Sequence, residues 1–66
     1  MYGIGSKVRY DSMRSGRVLG VVVKGPQRVP LLGEVVDIKV TSRTNPHYPF
    51  GYVFTLRVDC PWMGER

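Results

Sequence analysis

The sequence predicts an all-β chain folded as a single small barrel of about five short antiparallel strands. Three observations predict it. There is no alanine and only one glutamine, while Val, Ile, Thr, Tyr, Phe and Trp supply 23 of the 66 residues. Helices favour alanine and straight-chain residues, whereas branched and aromatic side chains suit a pleated, half-buried surface. Apolar residues alternate with polar ones in several stretches, and eight Gly and five Pro break the chain between them. At this length the expectation is one domain over residues 1–66, because a second independent core would have too little surface to bury.

The elements follow in order. Residues 1–5 form a lead-in containing Gly3 and Gly5. Residues 6–10 alternate, with Val8 and Tyr10 on one face and Lys7 and Arg9 on the other, which is the period of a half-buried strand. Residues 11–16 are polar and read as a loop. Residues 17–24 form the second strand, in which Gly20 marks the bend a small barrel needs. The run Val21-Val22-Val23 beyond it fits a strand shared between two sheets. Residues 25–33 carry Pro26 and Pro30 and read as a loop, since proline donates no ladder hydrogen bond. Residues 34–42 alternate again, with Val36, Ile38 and Val40 opposite Asp37, Lys39 and Thr41. Residues 43–51 are a turn with Pro46 and Pro49. In residues 52–58, Tyr52, Phe54, Leu56 and Val58 share a face. A break at Asp59-Cys60-Pro61 leaves residues 62–66 for a brief last strand.

The expected core is Val8, Tyr10, Val18, Val22, Val36, Ile38, Val40, Phe54, Leu56, Val58 and Trp62. A core of that size is marginal in so short a chain, so oligomerisation would add stability, and the apolar Leu31-Leu32 pair gives a homo-oligomer or a protein partner a place to attach. One cysteine, Cys60, excludes an internal disulfide, and one histidine with five acids leaves no set of zinc ligands. No apolar run approaches the roughly 18–20 residues that span a bilayer, and no signal-peptide pattern opens the chain. The expectation is a cytoplasmic protein with no membrane partner, no metal and no cofactor.

The order Gly5-x-x-Val8-Arg9-Tyr10, loop, Gly20-Val21-Val22-Val23, loop, alternating strand, turn, alternating strand, break and last strand resembles an SH3-like barrel. That resemblance implies a single 3₁₀ turn before the last strand, at Asp59-Cys60-Pro61. Barrels of the KOW and Tudor type are similar in carrying Gly and branched residues as at 20–23, and many of them contact nucleic acid or proteins that bind it. The opening Gly3-Ile4-Gly5-Ser6-Lys7-Val8-Arg9 resembles the type II dihydrofolate reductases, which would imply a symmetric oligomer with an active site in a central pore. Their substrate-binding Val-Gln-Ile-Tyr has no counterpart in Tyr52-Val53-Phe54-Thr55-Leu56, which lacks the glutamine, so that activity does not carry over.

Charge is the clearest functional signal. Of ten cations, six (Lys7, Arg9, Arg14, Arg17, Lys24, Arg28) lie between residues 7 and 28 with a single acid, Asp11. From residue 29 onward four cations meet four acids, so the whole net charge of +5 sits on the first two strands and their loops. Like charges repel, so such a grouping does not arise to stabilise a fold. It suits phosphates, which arginine grips with a planar fork and whose released counterions drive binding. The same pattern also describes a solvated face that keeps a small protein in solution. If Val8, Tyr10, Val18 and Val22 face the core, alternation puts Lys7, Arg9 and Arg17 outside, on strands about 4.8 Å apart, as one positive face. Asp37 and Asp59 are expected away from it.

Tyr48 and Phe50, near Arg43 and His47, are candidates for stacking on unpaired bases. Equally, Tyr48 or Phe50 folds back over the open end of the core. His47 has no carboxylate or cysteine beside it, and Cys60 has Asp59 beside it rather than the cation that activates a thiol nucleophile. No nucleophile, base and orienting group come together, so no enzyme is expected. The sequence therefore reads as a basic module for DNA or RNA of low specificity, contacted by Lys7, Arg9, Arg14, Arg17, Lys24 and Arg28 with Tyr48 and Phe50. The alternative is a protein-interaction module or small inhibitor acting through Leu31, Leu32 and the 25–33 and 43–52 loops.

Overall fold

The computed structural model describes residues 2–43 and 45–66, so Met1 in the lead-in and Thr44 in the 43–51 turn lie outside the described residues. Five strands form one antiparallel sheet: β1 (Lys7–Ser12), β2 (Gly16–Val29), β3 (Gly33–Val40), β4 (Val53–Arg57) and β5 (Met63–Glu65), in the order β4-β3-β2-β1-β5. None of the described residues is helical, and no helix is long and apolar enough to cross a membrane. The sheet is all-β as the composition requires, and it curls into a barrel-like domain. Its edges, β4 and β5, do not pair. Closure comes from side chains instead, with the rings of Tyr10 on β1 and Phe54 on β4 5.8 Å apart.

β2 is the shared strand. Residues 16–21 pair with β1, and residues 20–29 pair with β3. It runs five residues beyond the expected end, through the stretch read as a loop. Pro26 is accommodated because the β2–β3 register shifts between Lys24 and Gln27, leaving no ladder bond there for proline to break. A second shift lies between Val22 and Lys24, so the bend expected at Gly20 falls beyond it. Gly20 itself is buried, at a close approach of β2 and β3.

The β1–β2 connection is shorter than expected, because Asp11 and Ser12 belong to β1. Met13-Arg14-Ser15 forms the tip, and Gly16 takes the left-handed conformation (φ 87°) that closes a three-residue hairpin. The Ser12 hydroxyl accepts bonds from the backbone N–H of Arg14 and Ser15. Before β5, Cys60 N–H bonds Arg57 C=O and Met63 N–H bonds Cys60 C=O, two turns in tandem with the three-residue spacing of a 3₁₀ turn.

Val8, Val18, Val22, Val36, Ile38 and Val40 are fully buried, with Tyr10, Phe54, Leu56 and Val58 half-buried. One core expectation is overturned: Trp62 is half exposed and Met63 is buried in its place. The β1–β5 register sets Met63 opposite Tyr10, on the inner face, which turns Trp62 outward. Val35 is also buried although it lies on the face opposite Val36, between Gln27 and Arg57 in the ladder.

The β2–β3 loop shrinks to Pro30-Leu31-Leu32, where Leu32 N–H bonds Val29 C=O. Leu31 holds φ 74°, a left-handed position that favours glycine or asparagine, and its side chain is fully exposed. Leu31→Asn is therefore expected to stabilise the fold by about 1 kcal/mol, since strain is relieved and no packing is lost. A urea midpoint that rises supports this; one that falls shows that the leucine packs on something.

Candidate nucleic-acid interface

Cross-strand partners project from the same face of a sheet, so the registers place the cations. Lys7 stands opposite Val21, Arg9 opposite Leu19 and Asp11 opposite Arg17, all on the outer face of the first hairpin. Lys39 on β3 is opposite Val21 from the other side, which adds a fourth cation to that face. The charge count along the sequence missed Lys39, because only the β2–β3 pairing brings it there.

Arg9 and Arg17 point to the same side of the molecule, and one carboxylate shows it. Asp11 accepts from Arg9 Nη1 at 2.9 Å and from Arg17 Nε at 3.2 Å. Both arginines remain partly solvated, so each pair is worth about 0–1 kcal/mol and orders the guanidinium groups more than it stabilises the fold. Arg9 lies across β5 at Gly64, where a Cβ would meet its Nη2 at 3.0 Å. Gly64 thus leaves room for the arginine.

The other expected contacts are not gathered into this group. Lys24 stands opposite Asp37 and Arg28 opposite Glu34 in the β2–β3 ladder, so each has an acid across from it. Arg14 occupies the hairpin tip. The expectation that Asp37 lies away from the basic face is corrected. It alternates with Ile38 and so shares the outer face with Lys39, and its Oδ1 accepts a bond from the Thr55 hydroxyl at 2.7 Å. Asp59 lies in the β4–β5 turn, paired with Arg57 at 3.0 Å.

Tyr48 is not a free stacking platform. Its ring packs against Tyr10 (centroids 6.1 Å apart), Tyr52 (6.1 Å) and Phe54 (5.1 Å), folded over the open end of the core. Phe50 is half exposed, but the Arg43 guanidinium lies 4.3 Å from its centroid and takes one ring face. Asn45, which nothing in the sequence singled out, holds this turn in place. Its Nδ2 donates to Ser15 C=O at 3.0 Å, and its Oδ1 accepts from the N–H of His47 and Tyr48 at 2.9 and 3.2 Å. A buried amide bonded on both ends ties the 43–51 turn to the hairpin tip.

Two clefts open where that turn meets the tip. One, about 210 Å³, is lined by Ser12, Arg14, Ser15, His47, Tyr48 and Tyr52. The other, about 320 Å³, runs past Tyr10, Asp11, Met13, Arg14 and Trp62. A third groove, about 490 Å³, lies at the far end between Leu32, Val35, Leu56, Cys60 and Pro61. Of the two expected partner residues, Leu32 lines it and Leu31 projects into solvent.

Tyr10 has its hydroxyl pKa raised, by burial first, then by Tyr48 and Cys60 nearby and by a hydrogen bond with Tyr48. A raised folded-state value means a stability contribution that is complete below the unfolded value near 10 and lost as pH rises through the folded one. Tyr10→Phe is expected to flatten the alkaline limb of a stability–pH curve above about pH 10. An unchanged limb would assign alkaline unfolding to other groups.

The chain matches no family model, and comparison with curated proteins and with solved structures finds no similar protein.

Proposed function

We propose that this protein is a non-enzymatic module that binds nucleic acid, DNA or RNA, through the outer face of β1, β2 and β3 without reading sequence. One observation carries the reading: Lys7, Arg9, Arg17 and Lys39, drawn from three strands, share a face on which Asp11 is the acid among them. These four cations and Asp11 leave a balance of +3, and the next row, where Lys24 stands opposite Asp37, adds nothing to it. The order β4-β3-β2-β1-β5 with β2 shared supports placing the chain among SH3-like barrels, several kinds of which contact nucleic acid.

Contacts of this kind go to phosphates, so affinity must fall steeply with salt. About four phosphate contacts imply a loss of roughly 50- to 150-fold between about 50 and 200 mM salt. Anisotropy titrations with mixed-sequence DNA and RNA at both concentrations test it; no binding at low salt ends the proposal. Asp11 neutralises two arginines of the face, so Asp11→Asn is expected to tighten binding about two- to fivefold. Glu34→Gln removes the same charge away from the face and is expected to do less. Equal gains would leave only net charge at work.

A second reading, a protein-interaction module, is favoured by the fully exposed Leu31 at a strained turn position beside the groove lined by Leu32. Leu31→Asp with Leu32→Asp would then abolish capture of a specific protein while leaving nucleic-acid affinity nearly unchanged.

A further inference from the structure

We infer, resting on the nucleic-acid reading above, that the ligand is a single strand whose bases stack on Tyr52 and Trp62 at the hairpin-tip end of the barrel, with Arg14 on a phosphate between them.

Two exposed aromatic side chains are not explained by stability. A chain short of apolar volume leaves Trp62 and Tyr52 half exposed, at 50% and 48%. Both are nonetheless held. Trp62 C=O accepts from Asp11 N–H at 2.9 Å, which fixes its backbone against β1. Tyr52 stacks on Phe54 with ring planes 14° apart and meets Tyr48 edge to face. A ring already packed in the free protein, as that of Tyr52 is, loses little entropy when a base settles on it.

Their surroundings point to a polyanion. Tyr52 lines the cleft that holds Arg14 and His47, and Trp62 lines the neighbouring cleft that also holds Arg14. Arg14, Ser12 and Tyr48 line both, so the two clefts adjoin as one trough with Arg14 on the wall they share. Asp11 is the acid in it, and Arg9 and Arg17 already bind its carboxylate. Through Asp11 the trough joins the basic face of the first hairpin. A methylated ammonium does not fit: Tyr10, Tyr48, Tyr52 and Phe54 touch one another, with centroids 5.1 to 6.1 Å apart, and leave no gap for a cation.

A duplex keeps its bases stacked inside and offers no base face to a protein ring. A single strand offers one at each nucleotide, and base–aromatic stacking between cations tolerates any sequence. The basic face alone accepts either form; the trough selects the single strand.

Trp62 is the one tryptophan of the chain, so its fluorescence reports on the trough directly. The titration uses a single strand of about twelve nucleotides and the duplex of the same sequence, followed by Trp62 emission and by anisotropy. The single strand is expected to quench Trp62 and to bind at least about tenfold more tightly than the duplex. Tyr52→Leu, which keeps an apolar contact with Phe54 and Tyr48 but offers no ring, is expected to weaken single-strand binding by about tenfold while the protein stays folded, and Arg14→Gln to reduce the salt slope by about one. Equal affinity for both forms without quenching overturns the inference while the basic face stands. Binding of neither form removes both. Quenching by a proline-rich peptide but by no oligonucleotide also overturns it.

Discussion

Gly20→Ala is expected to cost about 3 kcal/mol, at the upper end of what overpacking a core does. Gly20 lies where β2 pairs with both of its neighbours, opposite Val8 on one side and Val40 on the other. A Cβ there would sit 2.6 Å from Ile38 Cγ2 and 2.8 Å from the Lys39 carbonyl oxygen. Neither yields easily. Ile38 is fully buried and β-branched, so its χ1 has little freedom, and the Lys39 oxygen belongs to the backbone of β3. The strands must part where Val22, Ile38 and Val40 pack. A domain of this size has a total stability of roughly 3–10 kcal/mol, so about a third of it or more is at stake. Urea unfolding should show a midpoint lower by about 2–3 M, or no folded baseline. Gly3→Ala is the control: its Cβ meets nothing within 4 Å, and its cost should stay within about 0.5 kcal/mol. Equal losses at the two glycines would show that the close approach is not what Gly20 provides.

Strands that bury one face were legible in the sequence. Period-two alternation placed Val8, Val36, Ile38 and Val40 inward, because a slip of one residue would expose them and bury Lys7 or Lys39. The extent of β2 was not legible, because Pro26 signals a loop unless a register shift absorbs it, and such a shift leaves no mark in composition. Trp62 and Met63 were exchanged for a similar reason. A strand of three residues has no periodicity, and only its pairing with Tyr10 decides which side chain turns inward. The basic face was half legible. Counting charge along the chain found Lys7, Arg9 and Arg17, but Lys39 reaches the face through β3, and Lys24 and Arg28 stand opposite acids on the same strand. Asn45 carried no sequence signal, since its role rests on a carbonyl thirty residues away.

The larger functional effect is expected from neutralising the face itself. Lys7→Gln, Arg9→Gln, Arg17→Gln and Lys39→Gln together should lower nucleic-acid affinity by roughly 100-fold at about 50 mM salt and flatten the salt dependence by a slope of about three to four. Glutamine suits the purpose better than glutamate, because Glu at 9 and 17 would set three carboxylates around the position Asp11 now holds between two arginines. All four side chains project from the outer face, so the fold should survive, with only the modest Asp11 pairs lost. Lys24→Gln, Arg28→Gln, Arg43→Gln and Arg57→Gln form the matched variant, since each set takes the net charge from +5 to +1. Measuring both variants against one oligonucleotide across the same salt series is the most direct test of a localised basic interface. The first set should lose roughly tenfold more affinity than the second, with the steeper fall in salt slope. Equal losses, and equal slopes, would contradict a binding face on β1, β2 and β3 and leave only a uniformly charged protein.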